Sequence, residues 1–348
     1  MPALPFYDPS LSYEENYAHG PFGSFAENVT YPQPDATPRQ TFLGLPVFHT
    51  FGIPAGPLLN SRFVAAAFRH SFDLCVYKTV RSKALACWPF PNTLEVEFDG
   101  DLALRQTVRA HRVRDNAPRT ITNSFGVPSQ SPDVWQADMQ AAIRATGVGQ
   151  IMIGSFQGSG EGDAQVADYA LAAKLVAETD APVIEANLSC PNEGKTGLLC
   201  FDVEKVVAVV NAIKSEVNDR PLLLKLAYFE DDTLLTSLVH AVGDRVEGLC
   251  AVNTLQAHVV DAEGHPALPG RDISGVCGAA IRWAGLEMTR RLHTLRAQYK
   301  MRFVIVANGG VLTPQDDHVY RTAGADAVMS ATGAMWNPML AQEIKYGQ

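Results

Sequence analysis

The feature that most restricts this chain is a recurrence of short, continuously apolar, β-branched runs. LCVYKTV (74–80), QIMIGSF (150–156), APVIEANL (181–188), PLLLKLAY (221–228), GLCAVNT (248–254), FVIVANGG (303–310) and DAVMSAT (326–332) alternate with helical stretches. Runs without polar interruption belong to strands covered on both faces, the situation of a parallel sheet under helices. The segment LGLPVFHTFGIPAGP (43–57) supplies a first strand or strands and brings the total to about eight, the number that closes a barrel. Between the runs, Val203, Val206, Val207, Val210 and Ile213 fall on one face of a helix. The expectation is an α/β fold, a (β/α)8 TIM barrel over residues 43–348. Residues 1–42, rich in Pro, Gly and aromatics without a sustained period, are expected as an extended arm packed on it.

Two insertions interrupt the rhythm. TLEVEF (93–98) and LALRQTV (102–108) flank Asp99-Gly100-Asp101, the composition of a β-hairpin. Residues 255–273, with His258, His265 and Pro269-Gly270, read as a long loop. Excursions at the C-terminal ends of barrel strands frame an active site. The run from Gly154-Ser155 to Gly158-Ser159-Gly160 lacks the spacing of a dinucleotide loop and reads as a turn before a helix.

Bulk properties narrow the partners. With a net charge of −9 the chain has no basic footprint for nucleic acid or an anionic membrane, so a small molecule is the expected partner. Its six cysteines include no Cys-x-x-Cys pair, which argues against a metal or iron–sulfur site. MPALPFYDPS is not a signal sequence and nowhere do 18 apolar residues run together, so a cytoplasmic location is expected.

Chemistry collects where the strands end: Lys78, Asn123, Asn187 with Cys190 and Asn192, Lys225, Asn253 with Thr254, Asn308 with Gly309 and Gly310, and Thr332. In a barrel those ends share one face, so residues far apart in sequence can form one site. Lys78 and Lys225 stand in apolar strands, where an ammonium needs a partner such as an anionic ligand. Asn308-Gly309-Gly310 and Ala331-Thr332-Gly333 follow the last two runs, where barrels hold phosphate on main-chain N–H groups. Cys190 follows Asn-Leu-Ser in a loop open to substrate; Cys75, Cys250 and Cys277 read as packing residues, with Cys87 and Cys200 left open.

Taken in order, YKTV (77–80), NSFGVP (123–128), NLSCPN (187–192), LLLKL (222–226), VNT (252–254), SGVCG (274–278) and ANGG (307–310) resemble the dihydroorotate dehydrogenases, over about residues 45–345. The Asn-Leu-Ser-Cys-Pro-Asn element is similar to the soluble class 1 branch, whose base is cysteine. The resemblance implies an FMN enzyme that oxidises dihydroorotate to orotate in pyrimidine biosynthesis. Cys190 would take a proton from C5 while a hydride leaves C6 for flavin N5. Lys225 would sit near flavin N1 and O2, and Lys78 between flavin and substrate. The resemblance assigns Asn123, Asn187, Asn192, Asn253 and Thr254 to the pyrimidine, Asn123 and Asn187 also facing the flavin, and the main chain of Gly126 and Val127 to its carboxylate. Ala55, Gly56 and Thr79 would touch the flavin; Gly275, Gly278, Gly309, Gly310, Ala331 and Thr332 would line its ribityl phosphate side.

Cys277 stands where the family often has glycine, Ala331-Thr332 where it has Gly-Thr, and Phe125 where the soluble branch often has methionine. The arm is longer than soluble members usually carry. Fumarate as electron acceptor and a homodimer are further implications; a route to NAD would need a partner subunit. Two alternatives are a dihydropyrimidine dehydrogenase-like enzyme acting on dihydrouracil or dihydrothymine, and a non-redox phosphate-binding barrel. Lys78 and the 126–127 main chain, as carboxylate holders, favour dihydroorotate.

Overall fold

A computed structural model describes residues 5–33, 37–114, 119–189 and 198–347. Eight parallel strands close into a barrel in simple sequential order: β1 (Phe51–Ile53), β2 (Leu74–Val80), β3 (Ile151–Phe156), β4 (Val183–Asn187), β5 (Leu222–Leu226), β6 (Gly248–Ala251), β7 (Val304–Asn308) and β8 (Ala327–Met329), with β8 pairing back to β1. All eight apolar segments thus deliver a barrel strand. Among the described residues no helix is long and apolar enough to cross a membrane.

The two-residue side-chain period divides each strand between two cores. Cys75, Tyr77, Met152, Ile184, Leu224 and Leu249 face outward into the layer shared with the helices. Leu74, Val76, Ile151, Ile153, Val183, Leu223, Cys250 and Val306 face inward. The lower end of this inner core is sealed by an antiparallel pair, Gln40–Phe42 with Leu45–Val47, whose Phe42 and Val47 join the inner residues. Helix Val203–Val217 buries Val206, Val209, Val210, Ile213 and Val217, with Asp202 capping its first turn through the Lys205 N–H.

Three expectations change. The hairpin after β2 pairs Glu95–Glu97 with Thr107–His111, not with 102–108; Arg105 adopts a left-handed conformation (φ 58) and Leu102 donates instead to the Ala280 carbonyl, so the turn is longer. Residues 255–273 are not one loop, because Leu255–Val260 is a strand that buries Leu255, Ala257 and Val259 on alternate positions. Gly154 and Ser155 lie inside β3 rather than in a turn. Strand Leu255–Val260 joins Ile273–Gly278, Thr120–Asn123, Glu95–Glu97 and Thr107–His111 in a second, smaller closed sheet built from the excursions after β2 and β6.

Within residues 1–42, Phe6, Tyr7, Tyr13 and Phe25 are buried. Rather than being extended throughout, this segment contains helix Tyr13–His19, started by a reciprocal capping box between Ser12 and Glu15. The Phe6 N–H donates to the Met335 carbonyl at 3.2 Å, which ties the segment to the short helix Thr332–Trp336 beyond β8.

Candidate active site

The inward positions that are apolar low in the barrel become polar two or four residues further up. After Leu74 and Val76 comes Lys78; after Ile151 and Ile153, Ser155; after Val183, Glu185 and Asn187; after Leu223, Lys225; after Val306, Asn308. All six are buried, none more than 8% exposed. Alternation alone lifts them into a crown facing a cleft of about 850 Å³, open mouth included, into which Lys78, Lys225 and Asn308 project.

The excursions complete the walls. Strand Thr120–Asn123 brings Asn123 opposite Gly275, and the turn leaving β6 brings Asn253 and Thr254. Ala55 and Gly56 follow β1 and line the cleft with Lys78 and Asn123. A Cβ on Gly56 (φ 146) would meet nothing within 4 Å and would project into open space, so glycine leaves a flat ligand room to approach. Thr79, Gly126, Val127 and Asn187 line a polar recess continuous with the cleft. On the far side, Gly278, Gly309, Gly310, Ala331 and Thr332 form one wall. Gly275 does not line the cleft; its Cα packs against Thr254, where a Cβ would fall 2.4 Å from Oγ1. Cys190 and Asn192 lie outside the described residues.

Two of the asparagines hold the chain ahead of Cys190. Asn187 Nδ2 donates to Gln157 Oε1 at 2.8 Å, while its Oδ1 accepts from the Ser189 hydroxyl at 3.0 Å. Asn253 Nδ2 donates to the same Ser189 Oγ at 3.1 Å. Ser189, the residue before Cys190, is therefore gripped from β4 and from the β6 exit.

The cleft leaves polar atoms without partners. Thr254 Oγ1 and Asn308 Oδ1 are buried and have no hydrogen-bond partner among the described residues. Atoms of this kind are costly in a native protein unless a ligand satisfies them. With two buried ammonium groups, a glycine-rich wall and a glycine open to the cleft, the donor set fits a planar, polar ligand that carries negative charge.

Sequence reasoning missed several members. Glu185, 1% exposed, accepts from Ser155 Oγ at 3.0 Å, and that hydroxyl pairs with Thr79 Oγ1 at 3.0 Å. A charged residue in VIEANL is the same signal that marked the two lysines. Tyr7 lines the cleft and meets the Phe125 ring edge-on at 5.8 Å, while Lys78 Nζ lies 6.0 Å from that ring. Cys277, read as packing, lies in the cleft wall and accepts from the Thr332 hydroxyl at 3.5 Å.

Every described thiol is held protonated. Burial pushes Cys277 up to about 11 against the Thr332 hydroxyl bond, and pushes Cys87 and Cys200 up to about 12. Cys75 and Cys250 are raised well above the usual thiol range, again chiefly by burial. A thiol so raised is a poor proton acceptor at neutral pH.

Comparison with known proteins gives a consistent picture. Residues 109–347 match the family model described as dihydroorotate dehydrogenase. The chain is 30% identical to a dihydroorotate dehydrogenase of Dictyostelium discoideum over 97% of its length and 96% of the relative's. It is 27% identical to a dihydroorotate dehydrogenase A (fumarate) of Lactiplantibacillus plantarum, covering 73% of this chain and 82% of that one. A crystal structure of DHODH from Eimeria tenella in complex with ferulenol superposes with a TM-score of 0.69 at 18% identity, over 87% of this chain and 81% of that chain, a likeness of fold.

Proposed function

The chain belongs to the dihydroorotate dehydrogenase family, oxidoreductases acting on a CH–CH bond, and from that premise we propose that it oxidises dihydroorotate to orotate with FMN bound in the cleft and Cys190 as base. The observation that carries the reading is the convergence of Lys78 and Lys225, from β2 and β5, on one cleft with Asn123, Asn187 and Asn253 around it.

The residues present fit FMN. The main chain at Gly309, Gly310 and Thr332 would hold its phosphate, Ala55, Gly56 and Thr79 would border its ring, and the Asn308 and Thr254 oxygens, which have no partner among the described residues, would supply further polar contacts. Bound FMN would supply the acceptor for the hydride leaving C6. Lys225, buried at 4% exposure, puts a fixed positive charge where negative charge develops during that transfer. Lys78 and the Gly126–Val127 main chain bind the substrate carboxylate. Asn123 and Asn253 orient the amides, since each side chain both donates and accepts. Cys190, the base that the family resemblance implies, takes the C5 proton, and the Asn187 and Asn253 bonds to Ser189 fix the chain just ahead of it. Fumarate is the proposed final acceptor.

The test is anaerobic mixing of the FMN-loaded protein with dihydroorotate or dihydrouracil, followed at the flavin's visible band. Rapid bleaching with dihydroorotate only, slowed at least about 100-fold in Cys190→Ser, is expected. Bleaching by dihydrouracil alone would transfer the assignment to that substrate, and an unchanged rate in the variant would remove Cys190 from the base role.

A further inference from the structure

The main chain of Gly126 and Val127 turns through two consecutive left-handed residues, with φ of 76 and 53. Glycine adopts this conformation freely. Valine does not: its branched Cβ crowds the carbonyl, and a residue ahead of proline, as Val127 is ahead of Pro128, is driven toward extended backbone. Segment 124–128 carries no helix or strand to impose the shape. Something else must hold Val127 there, in the recess it shares with Lys78, Asn123 and Asn187.

Arg81 is in place to do so. It is the first residue beyond β2, is 2% exposed, and does not line the cleft. Its Nε donates to the Val127 carbonyl at 3.0 Å and its Nη1 to Ser159 Oγ at 2.9 Å. The rest of the residue is equally fixed: its N–H donates to Ser129 Oγ at 3.0 Å and its carbonyl accepts from Trp135 Nε1 at 3.1 Å. Ser159 is in turn anchored by its N–H to Asp168 Oδ2 at 2.6 Å. One planar guanidinium therefore ties the strained turn to the ends of β2 and β3. The N–H groups of Gly126 and Val127 donate to nothing among the described residues, so the turn presents them to a ligand.

We propose that Arg81 is a positioning residue for anion recognition: by holding the Val127 carbonyl it keeps the Gly126–Val127 N–H pair aimed at the carboxylate of the substrate. The carboxylate's identity rests on the function proposed above; the clamp does not.

Two measurements test it on the full chain. The first is amide hydrogen exchange of segment 124–130 without ligand, in the parent, Arg81→Met and Arg81→Lys. Exchange at least tenfold faster in Arg81→Met is expected, with Arg81→Lys, which keeps the charge but not the planar fork, in between. The second is orotate titration of the FMN-loaded protein, read from the flavin absorbance. Arg81→Met is expected to raise Kd at least tenfold with FMN content unchanged. Because glycine needs no clamp, Arg81→Met made in a Val127→Gly background is expected to raise Kd less than threefold. Unchanged exchange in Arg81→Met, or an undiminished Kd rise in the Val127→Gly background, overturns the proposal. Faster exchange in a protein whose parent binds no orotate would uphold the clamp and sink the substrate reading.

Discussion

Acid should loosen this barrel from below, through His49. The residue precedes β1, and its N–H donates to Asp73 Oδ2 at 2.9 Å. Arg321 Nη2 approaches its Nδ1 at 3.4 Å, and Lys345 Nζ is bonded to Asp73 Oδ2 at 2.7 Å with both of those side chains buried. Burial first, then the charges of Arg321 and Lys345, depress the imidazole from 6.5 to about 3. In the unfolded chain the ring protonates near 6.5, whereas in the folded chain it stays neutral down to about 3, so its contribution is complete above 6.5 and is lost as pH falls toward 3. Between pH 7 and pH 5 the loss is about 2 kcal/mol, from one and a half units at ~1.4 kcal/mol each. Asp73 runs the other way. Burial raises its carboxyl to about 6 against the pull of Lys345, so its contribution is full below 3.8 and fades as pH rises through 6. Comparing parent with His49→Gln separates the two, because Asp73 is common to both. Urea unfolding at pH 7 and pH 5 should show the parent losing about 2 kcal/mol more than the variant. Equal losses would mean that His49 protonates freely in the folded protein and that the arrangement around it does not exclude charge.

Two further perturbations probe the barrel interior at different heights. Phe42→Ala opens the lower seal and should cost about 3–5 kcal/mol in urea unfolding, while the flavin spectrum of the loaded protein stays that of the parent; a loss under ~1 kcal/mol would mean that Phe42 is not part of the inner core. Lys225→Gln removes the fixed charge from the crown and should slow flavin reduction by dihydroorotate about 100-fold, or ~2.7 kcal/mol, with a much smaller change in orotate affinity; equal losses in both would make Lys225 a general binding residue.

The barrel was legible because its strands are covered on both sides, which leaves uninterrupted apolar runs of the right length and spacing. The two lysines were legible for the same reason, since an ammonium in such a run conflicts with its surroundings. Glu185 carried the same conflict and is read only once Ser155 and Thr79 are seen beside it. The smaller sheet was hidden because LQAHVV alternates burial against partners far away, Thr107–His111 and Ile273–Gly278, and one sequence cannot show which distant segment completes a ladder. Helix Tyr13–His19 had a readable start in Ser12 and Glu15, but it is too short to display a period. Nothing in the residue order marks Tyr7 as a neighbour of Phe125, because that contact depends on how the first residues cross the barrel mouth.

The point at which each inward column changes from apolar to polar also says how stability and chemistry are separated in this molecule. Below that level Leu74, Ile151, Val183 and Leu223 fill the interior with Phe42 and Val47, so the barrel can close with no ligand present. Above it, Thr254 and Asn308 carry buried oxygens without partners among the described residues and Lys225 offers a buried charge, features that cost free energy in the empty protein. A ligand that satisfies them adds its binding free energy to the folded state alone, which makes thermal stability depend on that ligand's concentration. The smaller sheet must then do more than decorate. Its strand Thr120–Asn123 carries Asn123, and the segment just beyond carries Phe125, Gly126 and Val127, so the cover over the crown and the wall of the recess are one piece of chain. Loosening that sheet should therefore disturb recognition of the substrate before it disturbs the barrel.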